Sequence, residues 1–264
     1  MVEIAPNDAV LAPRSLDVIK PARFARNYPV FAGLQLGAKL FLADLNPQAL
    51  AAVAEEFGGC GHGAVDVADE AGCEDIVAQA ATRLGRLDGV FHCAGISDRV
   101  ERALDMDMAA WQRGIDVNVR GTMMICRAAG RIMVSAGRGS IVNVSSVNGL
   151  NGIPRRHSYA PAKAAVAMIT RTLACEWGSA GVRVNAVAPG YIVTPMNEVL
   201  AAQGKLDIKR LEDRTPLARL GQPSEVGRVA AFLLSDAASY VSGAIVPVDG
   251  GWAAYGGPGP VQTA

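Results

Sequence analysis

Ser140-Ile141-Val142-Asn143-Val144-Ser145-Ser146 is a short apolar run that ends on two hydroxyl side chains. Only Asn143 interrupts it, and such near-continuous runs predict strands of a parallel sheet, whose two faces are both covered by helices. A helical pattern over 158–177 follows, then a second apolar run over 183–187, so the three read as one β-α-β unit. The same alternation extends outward in both directions. Upstream lie runs at 39–43, 63–65 and 88–93, with helical patterns over 47–57, 70–84 and 108–135; downstream lie a helix over 224–234 and a last run at 243–248. The chain therefore reads as α/β, a doubly wound parallel sheet in a single domain, with its ligand crevice outside the carboxyl ends of the strands.

The 264 residues suit one such domain. Half are apolar, and 25 Lys and Arg balance 25 Asp and Glu. A neutral chain without a basic stripe interleaved with aromatics carries no nucleic-acid footprint. No apolar run approaches the roughly 18 residues of a membrane span, and the first residues lack the basic-then-apolar pattern of a secretory signal. Five cysteines, an odd number without C-x-x-C spacing, predict free thiols in a reducing cytoplasm. His62, His92 and His157 are not spaced as metal ligands and no carboxylate completes a cluster, so no metal is expected. The expected partner is a small-molecule substrate, with no nucleic acid and no membrane. Residues 191–216 lack periodicity and suggest a mobile loop or a short helix pair over the site.

Tyr159-Ala160-Pro161-Ala162-Lys163 places a phenol and an ammonium four residues apart, on one face of a helix. A nearby cation favours the phenolate and makes tyrosine a usable base. Alone, such a pair can equally be solvated. Three further features accompany it: Ser146 thirteen residues upstream, Asn118 within Asp116-Val117-Asn118-Val119-Arg120-Gly121, and a Pro189-Gly190 turn after the 183–187 run. In this combination and order the chain resembles the short-chain dehydrogenase/reductase family, over about residues 37–251.

The resemblance implies a Rossmann-like fold and a homodimeric or homotetrameric oxidoreductase that transfers hydride between NAD(H) and a secondary alcohol or ketone. It implies that Tyr159 is the base, that Lys163 lowers the phenol pKa and bonds the nicotinamide ribose, that Ser146 orients the substrate oxygen, and that Asn118 holds a water in the proton relay. The alternative for Asn118 is a helix-interior amide bonded to its own backbone. Strand alternation puts only one of Ser145 and Ser146 on the crevice side, and the family spacing selects Ser146.

Cofactor contacts follow the same resemblance. Asp44, seven residues past Gly37, suits the carboxylate that bonds the adenosine ribose; its alternative is to cap the next helix. Leu45 follows it, with no cation for a 2′-phosphate, which favours NAD over NADP. Asp66-Val67 resembles the adenine contact. His92-Cys93-Ala94-Gly95 resembles an Asn-Asn-Ala-Gly turn with its asparagines replaced, so Ala94 and Gly95 carry over better than His92. Pro189-Gly190-Tyr191-Ile192-Val193-Thr194 resembles the segment that grips the carboxamide through the Ile192 backbone and the Thr194 hydroxyl. Asn148, Asn151, Arg155 and Arg156 point to a hydroxylated substrate such as a sugar or polyol, or else form an exposed polar loop.

The N-terminus departs from the family. Its Thr-Gly-x-x-x-Gly-x-Gly turn, counted back from Gly37, falls near Lys20, Phe24 and Arg26, where no glycine stands. Leu16, Val18 and Ile19 still read as a first strand, but Pro21 and Pro29 interrupt what should be turn and helix. The chain thus divides into an atypical segment 1–32, the family domain 33–252 and an irregular tail 253–264. Three explanations compete for the first segment. It is divergent, with Arg23 and Arg26 holding phosphate; or the protein is a catalytically silent binding or structural subunit; or a reading-frame error lies near residue 30, the reading preferred because the mismatch runs unbroken to Met1.

Overall fold

The computed structural model describes residues 18–20, 38–194, 206–257 and 260–261. Seven parallel strands form one sheet: β1 (Val18–Lys20), β2 (Leu40–Asp44), β3 (Gly61–Ala64), β4 (Gly89–His92), β5 (Gly139–Val144), β6 (Val182–Pro189) and β7 (Ile245–Val248). Their spatial order is β3-β2-β1-β4-β5-β6-β7. The order reverses between β1 and β4, the switch point at which such sheets open a crevice. The doubly wound, Rossmann-like sheet expected from the alternation of runs is thereby borne out.

Neighbouring residues of β4 and β5 feed opposite cores, as the unbroken apolar runs require. Val90 and Ile141 pack in one cluster with Ile76, Met133 and Val184, while Phe91 and Val142 pack in the other with Leu50, Val187 and Val226. Ile141 and Val142 are both fully buried, each burial stabilising by roughly 1.5–3 kcal/mol. The first cluster lies under α2 (Glu70–Leu84) and α4 (Gly121–Ala136); the second lies under α1 (Pro47–Glu56) and α7 (Pro223–Leu234). Capping sets the helix limits. Asp69 accepts from the Gly72 amide at the start of α2, and Gly85 turns left-handed at its end with φ 81°.

Two features of the chain were not foreseen in this form. The helix expected over 108–135 is divided into α3 (Met108–Ile115), a π-helical turn Asp116–Arg120, and α4. Apolar spacing does not register an extra residue in one turn, and π turns cluster at functional sites. Secondly, Val18–Lys20 runs between β2 and β4, with Val18 opposite both Leu40 and Gly89. Val18 and Ile19 thus belong to the first strand, as the weaker reading of that segment had it; Leu16, Phe24, Arg26, Gly33 and Gly37 lie outside the described residues. So do residues 195–205 of the aperiodic stretch, after which α6 (Ile208–Arg214) follows between α5 (Tyr159–Trp177) and α7.

Candidate active site

Sequence distance between Ser146 and Tyr159 is closed by stitching the end of β5 to the first turns of α5. Ser145 donates its hydroxyl to the Lys163 carbonyl at 2.8 Å, and Lys163 Nζ donates to the Val144 carbonyl at 2.9 Å. Ser146 caps a short 3-10 turn, Val147–Gly149, by accepting from the Asn148 amide at 3.1 Å. Gly149 lets that turn lie on the helix, since a Cβ there would stand 2.6 Å from the Lys163 carbonyl carbon. The helix itself starts on a distant partner: Asp98 Oδ2 accepts from the Ser158 and Tyr159 amides at 3.2 and 3.0 Å. Asp98 was missed by sequence reading. It lies 61 residues from Tyr159, in a loop with no local pattern to single it out.

Asn118 sits in the π turn, buried to 1% exposure. Its Nδ2 donates to the carbonyls of Gly114 and Ile96, both at 2.9 Å, and its Oδ1 accepts from the Ile96 amide at 3.1 Å. The alternative of an amide bonded to its own helix therefore describes one bond of three; the other two clamp the loop after β4. Gly95 is pressed against this clamp, because a Cβ would meet Asn118 Oδ1 at 2.5 Å.

A cavity of about 240 Å³ opens where these elements meet, lined among others by Gly95, Ser146, Tyr159, Lys163, Pro189, Ile192 and Thr194. Ala94 and Asn118 do not line it; Ala94 packs against the first core cluster, and Asn118 is bonded to Ile96 of the wall. Asp44, Asp66 and Val67 are not brought to it; they lie at the carboxyl ends of β2 and β3 on the same sheet edge. Asp44 accepts from the Asn46 amide at 3.0 Å, and it is Asn46 that caps α1 through the Ala49 amide. Asp66 accepts from the Ala68 amide and pairs with Arg113, both at 2.9 Å, and these contacts hold its carboxyl below the usual range. Of the four residues read as a polar loop, Arg156 and Asn148 line the cavity, while Arg155 and Asn151 are exposed.

Burial is the dominant influence on the titrating groups. It raises the Tyr159 phenol, against a hydrogen bond from the Ser146 hydroxyl and the charge of Arg156, which lower it; the Asp98 carboxylate adds a smaller upward push. Ser146 and Arg156 thus pull the phenol in the direction expected of Lys163. Lys163 is itself held down to about 8 by burial, with its Nζ 5.6 Å from the Tyr159 ring centroid. His92, under the floor of the site, is driven down to about 3, first by burial and then by the Lys163 charge, and its buried Nε2 has no hydrogen-bond partner.

A family model described as enoyl-(acyl carrier protein) reductase matches residues 32–253. The chain belongs to the short-chain dehydrogenase/reductase family. Among its relatives, galactitol 2-dehydrogenase (L-tagatose-forming) of Cereibacter sphaeroides is 41% identical over 223 residues, 83% of this chain and 87% of that protein. The cis-4-hydroxycyclohexanecarboxylate dehydrogenase of Sinomonas cyclohexanicum is 42% identical over 206 residues, 76% of this chain and 82% of that one. A gluconate 5-dehydrogenase from Burkholderia cenocepacia, solved with NADP and tartrate, superposes with a TM-score of 0.82 at 28% identity, covering 92% of this chain and 97% of that chain. Short-chain dehydrogenases/reductases bind a nicotinamide cofactor, and the described residues fit its nicotinamide end. The side-chain-free Gly95, the Lys163 ammonium and the Thr194 hydroxyl face one cavity at the crevice side of the sheet.

Proposed function

We propose that the protein is an alcohol dehydrogenase or ketone reductase that oxidises a hydroxylated substrate at a secondary carbinol, or runs the reverse reaction, with NAD favoured over NADP. The observation that carries this is that Ser146, Tyr159 and Lys163 line one cavity at the crevice side of the sheet. Lys163, Gly95, Pro189, Ile192 and Thr194 would hold the nicotinamide ribose and carboxamide, Ala94 would support the turn they rest on, Asp66 and Val67 would meet the adenine, and Asp44 the adenosine ribose. The bound nicotinamide supplies the hydride acceptor or donor.

The rest of the chemistry belongs to the chain. Ser146 and Tyr159 bracket the substrate oxygen, one hydroxyl orienting it and the other exchanging its proton. The deprotonated phenol is favoured by the Ser146 bond and by Arg156 against the cost of burial. Lys163, anchored to the Val144 carbonyl and 5.6 Å from the Tyr159 ring centroid, would place its positive charge beside the phenol. Asn118 positions the proton path by clamping the Ile96 backbone.

Asp44 followed by Leu45 supports NAD, since a carboxylate repels a 2′-phosphate and no cation adjoins it in sequence. The free cysteines among the described residues support a reducing, cytoplasmic setting. Exposed Met123 and Met168 on the two central helices, α4 and α5, support a homodimer or homotetramer. The reading is tested by following the absorbance of reduced nicotinamide with purified protein, NAD or NADP, and a panel of polyols and cyclic alcohols. Turnover with at least one secondary alcohol, faster with NAD, is expected; cofactor binding without any turnover would overturn it.

A further inference from the structure

We propose that Arg156 reads a carboxylate on the substrate, so that the preferred alcohol is a hydroxy acid and the preferred ketone an oxo acid; this rests on the oxidoreductase reading above. Arg156 lines the cavity with its guanidinium carbon 5.1 Å from the Tyr159 ring centroid. Its charge reaches both phenols of the pocket, offsetting part of the rise that burial imposes on Tyr159 and Tyr191. Among the described residues the cavity wall holds two cations, Arg156 and Lys163, and no carboxylate. Lys163 is assigned to the cofactor ribose, which leaves Arg156 as the cation facing the substrate.

Asp98 takes up part of that charge. Its Oδ2 accepts from the two amides that open α5, and its Oδ1 forms an ion pair with Arg156 Nη1 at 2.9 Å. Arg156 also donates from Nη2 to Ser97 Oγ at 2.9 Å and from Nη1 to the Asp98 carbonyl at 3.4 Å. Of the five N–H donors that a guanidinium carries, Nε–H and one on Nη2 remain for a ligand. Ser97 and Asp98 thus hold the group at the wall. The unspent donors suit a planar acid, and a wall of low dielectric concentrates their field on it. Arg155 next door is exposed and does not line the cavity.

The test uses matched pairs: cis-4-hydroxycyclohexanecarboxylate against its carboxamide, and D-galactonate against galactitol, with wild type, Arg156→Gln, Arg156→Lys and Arg155→Gln. In wild type the acid of at least one pair should exceed its neutral partner at least 10-fold in kcat/KM. Arg156→Gln should lower the acid at least 30-fold further than the neutral compound, mainly through KM; Arg156→Lys should keep part of the preference, and Arg155→Gln should leave the ratio within twofold. Equal rates for both members of every pair, or an equal loss of both in Arg156→Gln, would overturn the assignment. Calorimetric titration of the same acids into protein saturated with NADH separates the two readings. Arg156-dependent binding without turnover would keep the carboxylate site and remove the redox reading, whereas binding indifferent to Arg156 would remove the carboxylate site alone.

Discussion

At the β5–α5 end of the crevice, Asn118, Ser146 and Lys163 are 1%, 7% and 5% exposed, and Asn118 and Lys163 are bonded to the backbone of another part of the fold. At the β2–β3 end, Asp44 and Asp66 are partly exposed and accept from amides two residues further on. The chemical end is over-determined: several elements must agree before Tyr159 and Ser146 meet, and a lysine is buried at a cost in stability. The β2–β3 end, proposed to meet the adenosine, rests mainly on short local turns, with one longer-range ion pair from Asp66 to Arg113. Substitutions should therefore act strongly and on more than one property at the first end, and singly and reversibly at the second.

The largest effect is expected from Tyr159→Phe. Loss of the proton-exchanging hydroxyl should lower kcat by about 10² to 10⁴-fold while circular dichroism and cofactor titration stay near wild type. Retained activity would break the contrast at its strongest point.

Lys163→Met should lower both kcat and cofactor affinity, because one side chain serves both. It should also stabilise the protein without cofactor. The folded-state pKa of about 8 lies below the ordinary 10.5, so between these values the unfolded chain binds more protons and stability rises with pH. Below pH 8 the burial cost stands in full. At pH 7 urea unfolding of the variant should thus show a gain on the order of 3 kcal/mol, which vanishes above pH 10.5. Lower stability at pH 7 would mean that the Val144 bond outweighs the burial.

At the other end, Asp44→Ala should weaken NAD and relieve repulsion of NADP by roughly 1–3 kcal/mol each, narrowing or reversing the ratio of kcat/KM without a change in kcat. An unchanged ratio would assign Asp44 to its turn with Asn46 alone.

His92→Asn gives the most local effect, confined to stability in acid. With a folded-state pKa of about 3 against 6.5, wild type should lose stability as pH falls through this window, because the unfolded chain takes up the proton that the buried ring refuses. The variant should lack that share, a slope of about 1.4 kcal/mol per pH unit; identical acid limbs in urea titrations at pH 4 to 7 would show that the ring titrates freely.

Legibility in the sequence follows the range of the interaction. The runs that became β4, β5 and β6 were readable because a strand buried on both faces must be apolar at nearly every position, and Ile141 and Val142 serve opposite cores. The limits of α2 were readable because Asp69 and Gly85 punctuate it locally. The π turn was not, since one extra residue in a helix leaves the apolar spacing almost unchanged. The three alternatives for residues 1–32 also mark a limit. Local propensity around Pro21 and Pro29 argues against a normal turn and helix, yet Val18–Lys20 take an interior position in the sheet through partners more than twenty residues away.

By itself the amino-acid sequence determined the fold class and the family, along with the chemical identities of Ser146, Tyr159 and Lys163, because these depend on residue type and on spacings within one strand or one helix. Only the tertiary structure decided which groups act on them. Ser146 and Arg156 pull on the Tyr159 phenol, the anchor of its helix is Asp98, and Arg156 is held at the cavity wall by Ser97 and Asp98. Electrostatic coupling and burial depend on distance through space, and chain position does not encode that distance until the sheet has brought β4, β5 and α5 together.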